Sequence, residues 1–282
     1  MANRERKGIA MCEWQFLDSS SRSNLVAAAT RESEGFYELA SDPERWEAPT
    51  GAGHWQVRDV VGHLIDTTET YFVGFDAARG NGEGPENLGL PAMAMFVDKG
   101  AQAFRGTPQD ELIARGKAAR EQFNGIVDEL SDDEWAGMMV PHKYMGPLPA
   151  AFYPLFQLVD YGVHSWDMRE GTGGGHALEG DSADLLVPLA FILWQSTPDI
   201  PADTEPYSIG VEVTGGRNAG KHRISVSPDG IDVTEGELDD LPAVLEFDPA
   251  TLVLTAYGRM NAGTVRGDQE LGERFLNSFF RI

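Results

Sequence analysis

The chain has 282 residues, with 22 Lys and Arg against 45 Asp and Glu and a formal net charge of −23. That length supports one large or two modest cores, and charge of this sign repels phosphate backbones and anionic lipid, which sets nucleic-acid and membrane partners aside. Cys12 is the only cysteine, so an intrachain disulfide and a cysteine-based zinc site are excluded, and any metal has to be held by histidine and carboxylate groups.

Arg4, Arg6 and Lys7, followed by Glu13 and Asp18, do not frame the apolar segment of a secretion signal. No apolar run approaches the roughly 20 residues needed to cross a bilayer, and the expected location is the cytoplasm. Residues 1–22 mix charges with serines without sustained periodicity, which predicts a flexible N-terminal arm. Leu25, Val26, Ala29, Phe36 and Leu39 then predict a first helix that Pro43 prevents from continuing. Trp46 and Trp55 bracket a loop.

The clearest helix follows, with Val57, Val60, Val61, Leu64, Ile65, Thr68, Phe72 and Phe75 on one face and Gly80 and Gly82 at its end. A loop rich in Gly, Pro and Asn runs from Gly80 to Pro91. A third helix is expected after a Thr107-Pro108 start, through Leu112, Ala119, Phe123, Ile126 and Leu130. A fourth begins near Pro149, carries Phe152, Leu155, Phe156, Val159 and Val163, and ends in the glycines from Gly171 to Gly175. Four long amphipathic helices predict a bundle.

After one more helix, roughly Ala183 to Gln195, short alternating runs at 207–214, 222–227 and 231–234 read as strands. Helical patterns return at 249–257 and 270–280, with an extended piece at 263–267 between them. The predicted fold class is therefore α plus α+β, with a helical bundle over 23–197 and a small α+β domain over 206–282, divided in a stretch holding Pro198, Pro201 and Pro206.

Asp160 and His164 stand four apart on the fourth helix, a spacing that puts both on one face, one turn apart, where they can grip one ion. Asp167 shares that face and is placed to accept a ring N–H of His164, the arrangement that fixes a ligand imidazole. A third ligand has to come from another helix, and His63 is the best-placed candidate. The same spacings also occur on solvated helices. His63 lies off the centre of its apolar stripe, near Asp59, Asp66 and Thr70, which reads either as a solvated histidine or as a polar pocket with Thr67, Thr70 and Asp66. Two histidines and one carboxylate would leave coordination positions open and suit zinc best, with iron, nickel or manganese possible.

The segment 55–64, Trp-Gln-Val-Arg-Asp-Val-Val-Gly-His-Leu, resembles the opening helix of the DinB-like superfamily, in the branch of mycothiol-dependent maleylpyruvate isomerases. The segment 160–169, Asp-Tyr-Gly-Val-His-Ser-Trp-Asp-Met-Arg, resembles that branch's second metal motif, and Tyr257-Gly258-Arg259 with Val265-Arg266-Gly267-Asp268 is similar to its sterol-carrier-like C-terminal domain. The resemblance implies a DinB-like four-helix bundle followed by a sterol-carrier-like α+β domain, with His63, Asp160 and His164 as metal ligands. Asp160 stands where the family commonly has Glu, one methylene longer, which bears on metal identity and strength. Arg259 resembles an arginine that meets a substrate carboxylate through a charge-assisted fork, against the plainer reading of a surface ion pair. His142, Lys143 and Tyr144 are expected either to line the mouth of the site or to form a plain polar loop.

The implied cofactors are a divalent metal, zinc first, and mycothiol as thiol cosubstrate; the implied partners are that thiol and a small-molecule substrate. The implied chemistry is cis–trans isomerisation of a maleylpyruvate-like acid or thiol transfer to an electrophile, and the ligand set does not separate the two. A non-catalytic small-molecule binding protein and a metal-dependent hydrolase are the alternatives.

Overall fold

The computed structural model describes residues 15–173 and 178–280. Cys12 and most of the expected N-terminal arm lie outside the described residues. Chain contacts divide the protein into two compact units, one over residues 16–182 and one dominated by 183–281.

The first unit is helical: α1 (Arg22–Ala40), α2 (Val57–Ala78), α3 (Met93–Gln102), α4 (Gln109–Asp128), α5 (Asp132–Gly137) and α6 (Phe152–Glu170). Between α5 and α6 a short antiparallel pair, β1 (Met139–Val140) and β2 (Leu148–Pro149), closes a hairpin. α6 is apolar nearly all round and buried along almost its whole length, as expected of a central helix, and α1 packs along it. Phe36, Tyr37, Val57, Val60, Val61, Leu64, Ile65, Leu112 and Tyr161 belong to one core cluster. Each large apolar side chain buried in this way contributes about 1.5–3 kcal/mol.

Three sequence expectations change here. Residues 15–22 are not a loose arm, because Phe16 is buried at 3% exposure and its ring meets Phe152 edge-on at 4.9 Å. Its carbonyl accepts both the Trp135 indole N–H and the Ser21 hydroxyl at 2.9 Å, so one aromatic anchors the segment that the serines made look structureless. The Gly80–Pro91 loop is followed by α3, a short helix whose last residues lie against α2. Pro108, with ψ 145, is itself the N-cap of α4, one residue later than the Thr107 start expected.

The second unit holds α7 (Gly180–Ser196) and a five-stranded mixed sheet of β3 (Tyr207–Val213), β4 (Gly220–Ser227), β5 (Gly230–Glu235), β6 (Ala243–Phe247) and β7 (Thr264–Gly267), with α8 (Pro249–Ala256) and α9 (Gln269–Leu276). The strand order is β5-β4-β3-β6-β7, and only β3 and β6 run parallel. α7 was expected within the bundle range, but the contact boundary falls before most of it. Its Trp194 ring packs on Phe275 at 5.1 Å and Phe279 at 5.6 Å. Its Asp184 carboxylate accepts the backbone N–H groups of Arg217 and Asn218 at 3.0 Å, which ties the helix to the β3–β4 turn. No described helix is long and apolar enough to cross a membrane.

One core residue of the sheet is polar. His222 on β4 is 2% exposed, lies 4.4 Å from the Phe191 ring, and neither ring nitrogen has a hydrogen-bond partner among the described residues. Burial pushes it down to about 4, whereas an unfolded histidine titrates near 6.5. As pH falls the unfolded state takes up this proton first, so stability complete above about pH 6.5 drains away toward pH 4. Melting temperatures measured between pH 7 and pH 4.5 should therefore fall for the wild type and fall less steeply for His222→Leu; equal slopes would show that this ring is not the titrating group.

Candidate metal centre

His63 projects from α2, and Asp160 and His164 project from α6. One ligand atom from each of the three lies within 4.8 Å of the others. Donor atoms about 2.0–2.1 Å from a tetrahedral ion stand roughly 3.4 Å apart, so small side-chain rotations close the difference, and the donor set fits a divalent ion. Both imidazoles are 6% exposed and Asp160 is half-buried. The two rings meet edge-on, with centroids 5.0 Å apart.

The imidazoles are oriented from behind. His164 Nδ1 lies 2.8 Å from Oδ2 of Asp167, whose side chain is fully buried. With Nδ1–H donating to that carboxylate, Nε2 carries the lone pair a metal takes. His63 Nδ1 lies 3.3 Å from Thr67 Oγ1, and the tautomer that donates to Thr67 likewise presents Nε2. Gly51 donates its N–H to the Asp167 carbonyl at 2.7 Å, and a Cβ at Gly51 would press on the Trp166 ring and on Asp167 itself.

A third element completes the surroundings. The Trp55 ring lies 5.2 Å from His63 and 6.0 Å from His164, and its indole N–H donates to Asp98 of α3 at 2.8 Å. That bond, with those from Gln102 and His54, holds the Asp98 carboxyl below its ordinary value. α3 comes this close because residue 62 is glycine, where a Cβ would collide with the Ala101 carbonyl. One turn before His63, buried Asp59 caps the Gln56 N–H at 2.9 Å and takes a bidentate Arg105 at 2.7 and 2.8 Å.

Residues 26–169 match the mycothiol maleylpyruvate isomerase N-terminal domain family, over half of the chain. The chain belongs to that family. Among solved structures it is similar to the mycothiol-dependent maleylpyruvate isomerase, with TM-score 0.56 and 13% identity over 86% of this chain and 92% of that one. A histidine-to-alanine mutant of that enzyme matches equally well, with the same TM-score, identity and coverage. The colibactin self-resistance protein ClbS bound to double-stranded DNA gives a looser overlay, with TM-score 0.46 and 17% identity over 55% of this chain and 97% of that one. No curated protein matches the sequence.

Within this member of the family, His63 is a buried residue and not a solvated one. Of its expected polar neighbours Thr67 reaches the ring, whereas the Thr70 hydroxyl turns back to the Asp66 carbonyl at 2.8 Å. The 142–144 loop is likewise no plain polar loop. His142 Nδ1 accepts the backbone N–H groups of Tyr144 and Met145 at 3.2 Å, and burial pushes the ring down to about 4 and the Tyr144 phenol up to about 12. Arg259 lies in the second unit, where its Nη1 donates to the Tyr257 carbonyl at 2.9 Å. The sequence placed Trp55 at a loop edge and at the head of the 55–64 motif but gave it no role at the histidines, and Asp98 was passed over altogether. A tryptophan two residues ahead of the first residue of α2 was the available signal for the first; nothing local pointed to the second.

Burial acts to raise the Asp59 carboxyl, but the Arg105 and Gln56 hydrogen bonds outweigh it and hold the group below the ordinary aspartate value. A lowered carboxylate contributes stability that is present above its unfolded value near 3.9 and lost as pH falls through the folded one. Asp59→Ala should cost roughly 2 kcal/mol at neutral pH by removing the cap and the ion-pair anchor. In denaturant titrations that difference should shrink below about pH 4.

Proposed function

We propose that this chain is a metal-dependent enzyme that uses mycothiol, a low-molecular-weight thiol, as its nucleophile. The reaction is cis–trans isomerisation of a maleylpyruvate-like acid, or transfer of the thiol to an electrophile. The observation that carries this reading is the convergence of His63 with Asp160 and His164 from two helices, with Asp167 clamped on the far nitrogen of His164. Buried histidines paired in this way are what a metal centre requires and what a merely structural pair does not.

In this reading His63, Asp160 and His164 hold the ion, and their two nitrogens and one oxygen suit zinc first. A divalent ion held by three protein groups lowers the pKa of a coordinated thiol, so that thiolate is available near neutral pH. Asp167 keeps His164 in one tautomer and orientation. The Trp55 ring covers both imidazoles on one side and limits water there. By the family resemblance Arg259 would offer its guanidinium to a substrate carboxylate. Asp160, shorter than the usual glutamate, would supply the one carboxylate of the ligand set. The net charge of −23 disfavours nucleic acid as a partner.

Elemental analysis of protein purified without chelator should find close to one divalent ion per chain, lost in His63→Ala and in His164→Ala. Asp167→Asn should retain the ion with about 10–100-fold weaker affinity. A wild type that stays metal-free after reconstitution with zinc, nickel, iron and manganese would overturn the reading. Turnover of a maleylpyruvate-like acid should require both metal and mycothiol, whereas thiol-independent cleavage with uptake of water would identify a hydrolase. Arg259→Met should keep its metal and lose roughly 10–100-fold in kcat/KM on a carboxylate substrate, from the loss of a charge-assisted pair.

A further inference from the structure

The seam between α1 and α4 carries polar side chains apart from those of the metal centre. Thr30, Ser33 and Tyr37 from α1 face Lys117, Arg120 and Asn124 from α4, at the three- and four-residue spacings that keep each set on one face. Together they line a groove of about 460 Å³, large enough for a small metabolite.

Its floor is chemically unmet. Arg120 is 5% exposed, its Nη2 reaches Thr30 Oγ1 only at 3.4 Å, and its buried Nε and Nη1 have no hydrogen-bond partner. The guanidinium carbon lies 5.7 Å from the Phe123 ring and 5.9 Å from the Tyr161 ring. Such contacts ease the charge through the ring face but do not accept the in-plane N–H groups. Arginine does not shed its proton, so a buried guanidinium without an acceptor is costly to keep. One turn along α4, Asn124 Oδ1 is also buried and without a partner. Unmet donors and an unmet acceptor thus sit side by side in one groove.

The rim selects among ligands. Exposed Glu34, Glu38 and Glu121 stand at the groove beside Lys117, so a simple anion meets repulsion at the mouth and a simple cation leaves Arg120 unmet. We propose that the α1–α4 groove is a binding site for a small zwitterion of the α-amino acid type. The carboxylate lies end-on across Nη1 and Nη2 of Arg120, and the ammonium lies between Asn124 Oδ1 and the rim glutamates. The site is separate from the metal centre and does not depend on the reading given to that centre.

Calorimetric titration of the full chain with glycine, L-serine, L-glutamine and L-phenylalanine tests this, with acetate and methylamine as the two halves of the ligand. At least one amino acid should bind saturably and about tenfold or more tightly than either half, because both charges are matched at once. Arg120→Met should weaken that binding about tenfold or more while melting no lower than wild type, since it removes an unmatched buried charge. If Arg120→Met does not fold, Asn124→Leu carries the same expectation for binding. The proposal is overturned if no amino acid binds the wild type, if acetate binds as tightly as the best amino acid, or if the folded variant binds as well as wild type.

Discussion

Asp167 serves two structures at once. Its carboxylate accepts from His164 Nδ1, and its backbone carbonyl accepts the N–H of Gly51. The first bond sets which nitrogen of His164 faces the cluster. The second pins the loop ahead of α2 against the end of α6, and in that loop Thr50 bonds to the Trp55 carbonyl through both its N–H and its hydroxyl. The Trp55 ring then lies against both histidines. A fully buried carboxylate is tolerable only when its oxygens are hydrogen-bonded, so this aspartate makes the approach of loop, α2 and α6 mutually dependent.

Close approach is the second requirement, and glycine supplies it. Gly62 precedes His63 and lets the Ala101 carbonyl of α3 sit where a side chain would otherwise stand. That brings Asp98 to the Trp55 indole and Arg105 to Asp59. The helix that carries His63 is thereby held at its N-terminal end by a cap and an ion pair, and along its side by α3. Rigid presentation of this kind suits a site built from single side chains, because each ligand atom must be placed within fractions of an ångström.

Asp160 supplies the one carboxylate of the candidate metal cluster. It occupies the helical turn below His164 and reaches the cluster with a side chain one methylene shorter than glutamate. In the helical unit polarity is concentrated in two places, the α2–α6 seam with its histidines and the α1–α4 seam with Arg120. Buried Asp59 and Glu32 of the same unit are met within the protein, by Arg105 and Ser182 respectively. Polar groups that fold into a core without mutual partners mark where a ligand belongs, since a protein otherwise gains by replacing them with apolar side chains.

Periodicity along the chain was sufficient for α1, α2, α4, α6 and α7, because an amphipathic helix announces itself over several turns. It was sufficient too for β3 to β5, whose alternation reports one buried face. The pairing of Asp160 with His164, and of His164 with Asp167, followed from helical spacing alone, since all three sit on one element. α3 and β6 escaped notice: the first is short and follows a glycine-rich loop, and the second, Ala-Val-Leu-Glu-Phe, is buried at four of its five positions and shows no alternation. What only the tertiary structure decided is what distant segments do to one another. His63 could be placed on its helix from the sequence, but its burial beside His164 depends on how α2 crosses α6. Trp55, Asp98 and Phe16 take their roles from partners far along the chain, and Arg120 shows its unmet N–H groups only once α1 is laid beside α4. Local spacing determines which side chains share a face; packing alone determines which faces meet.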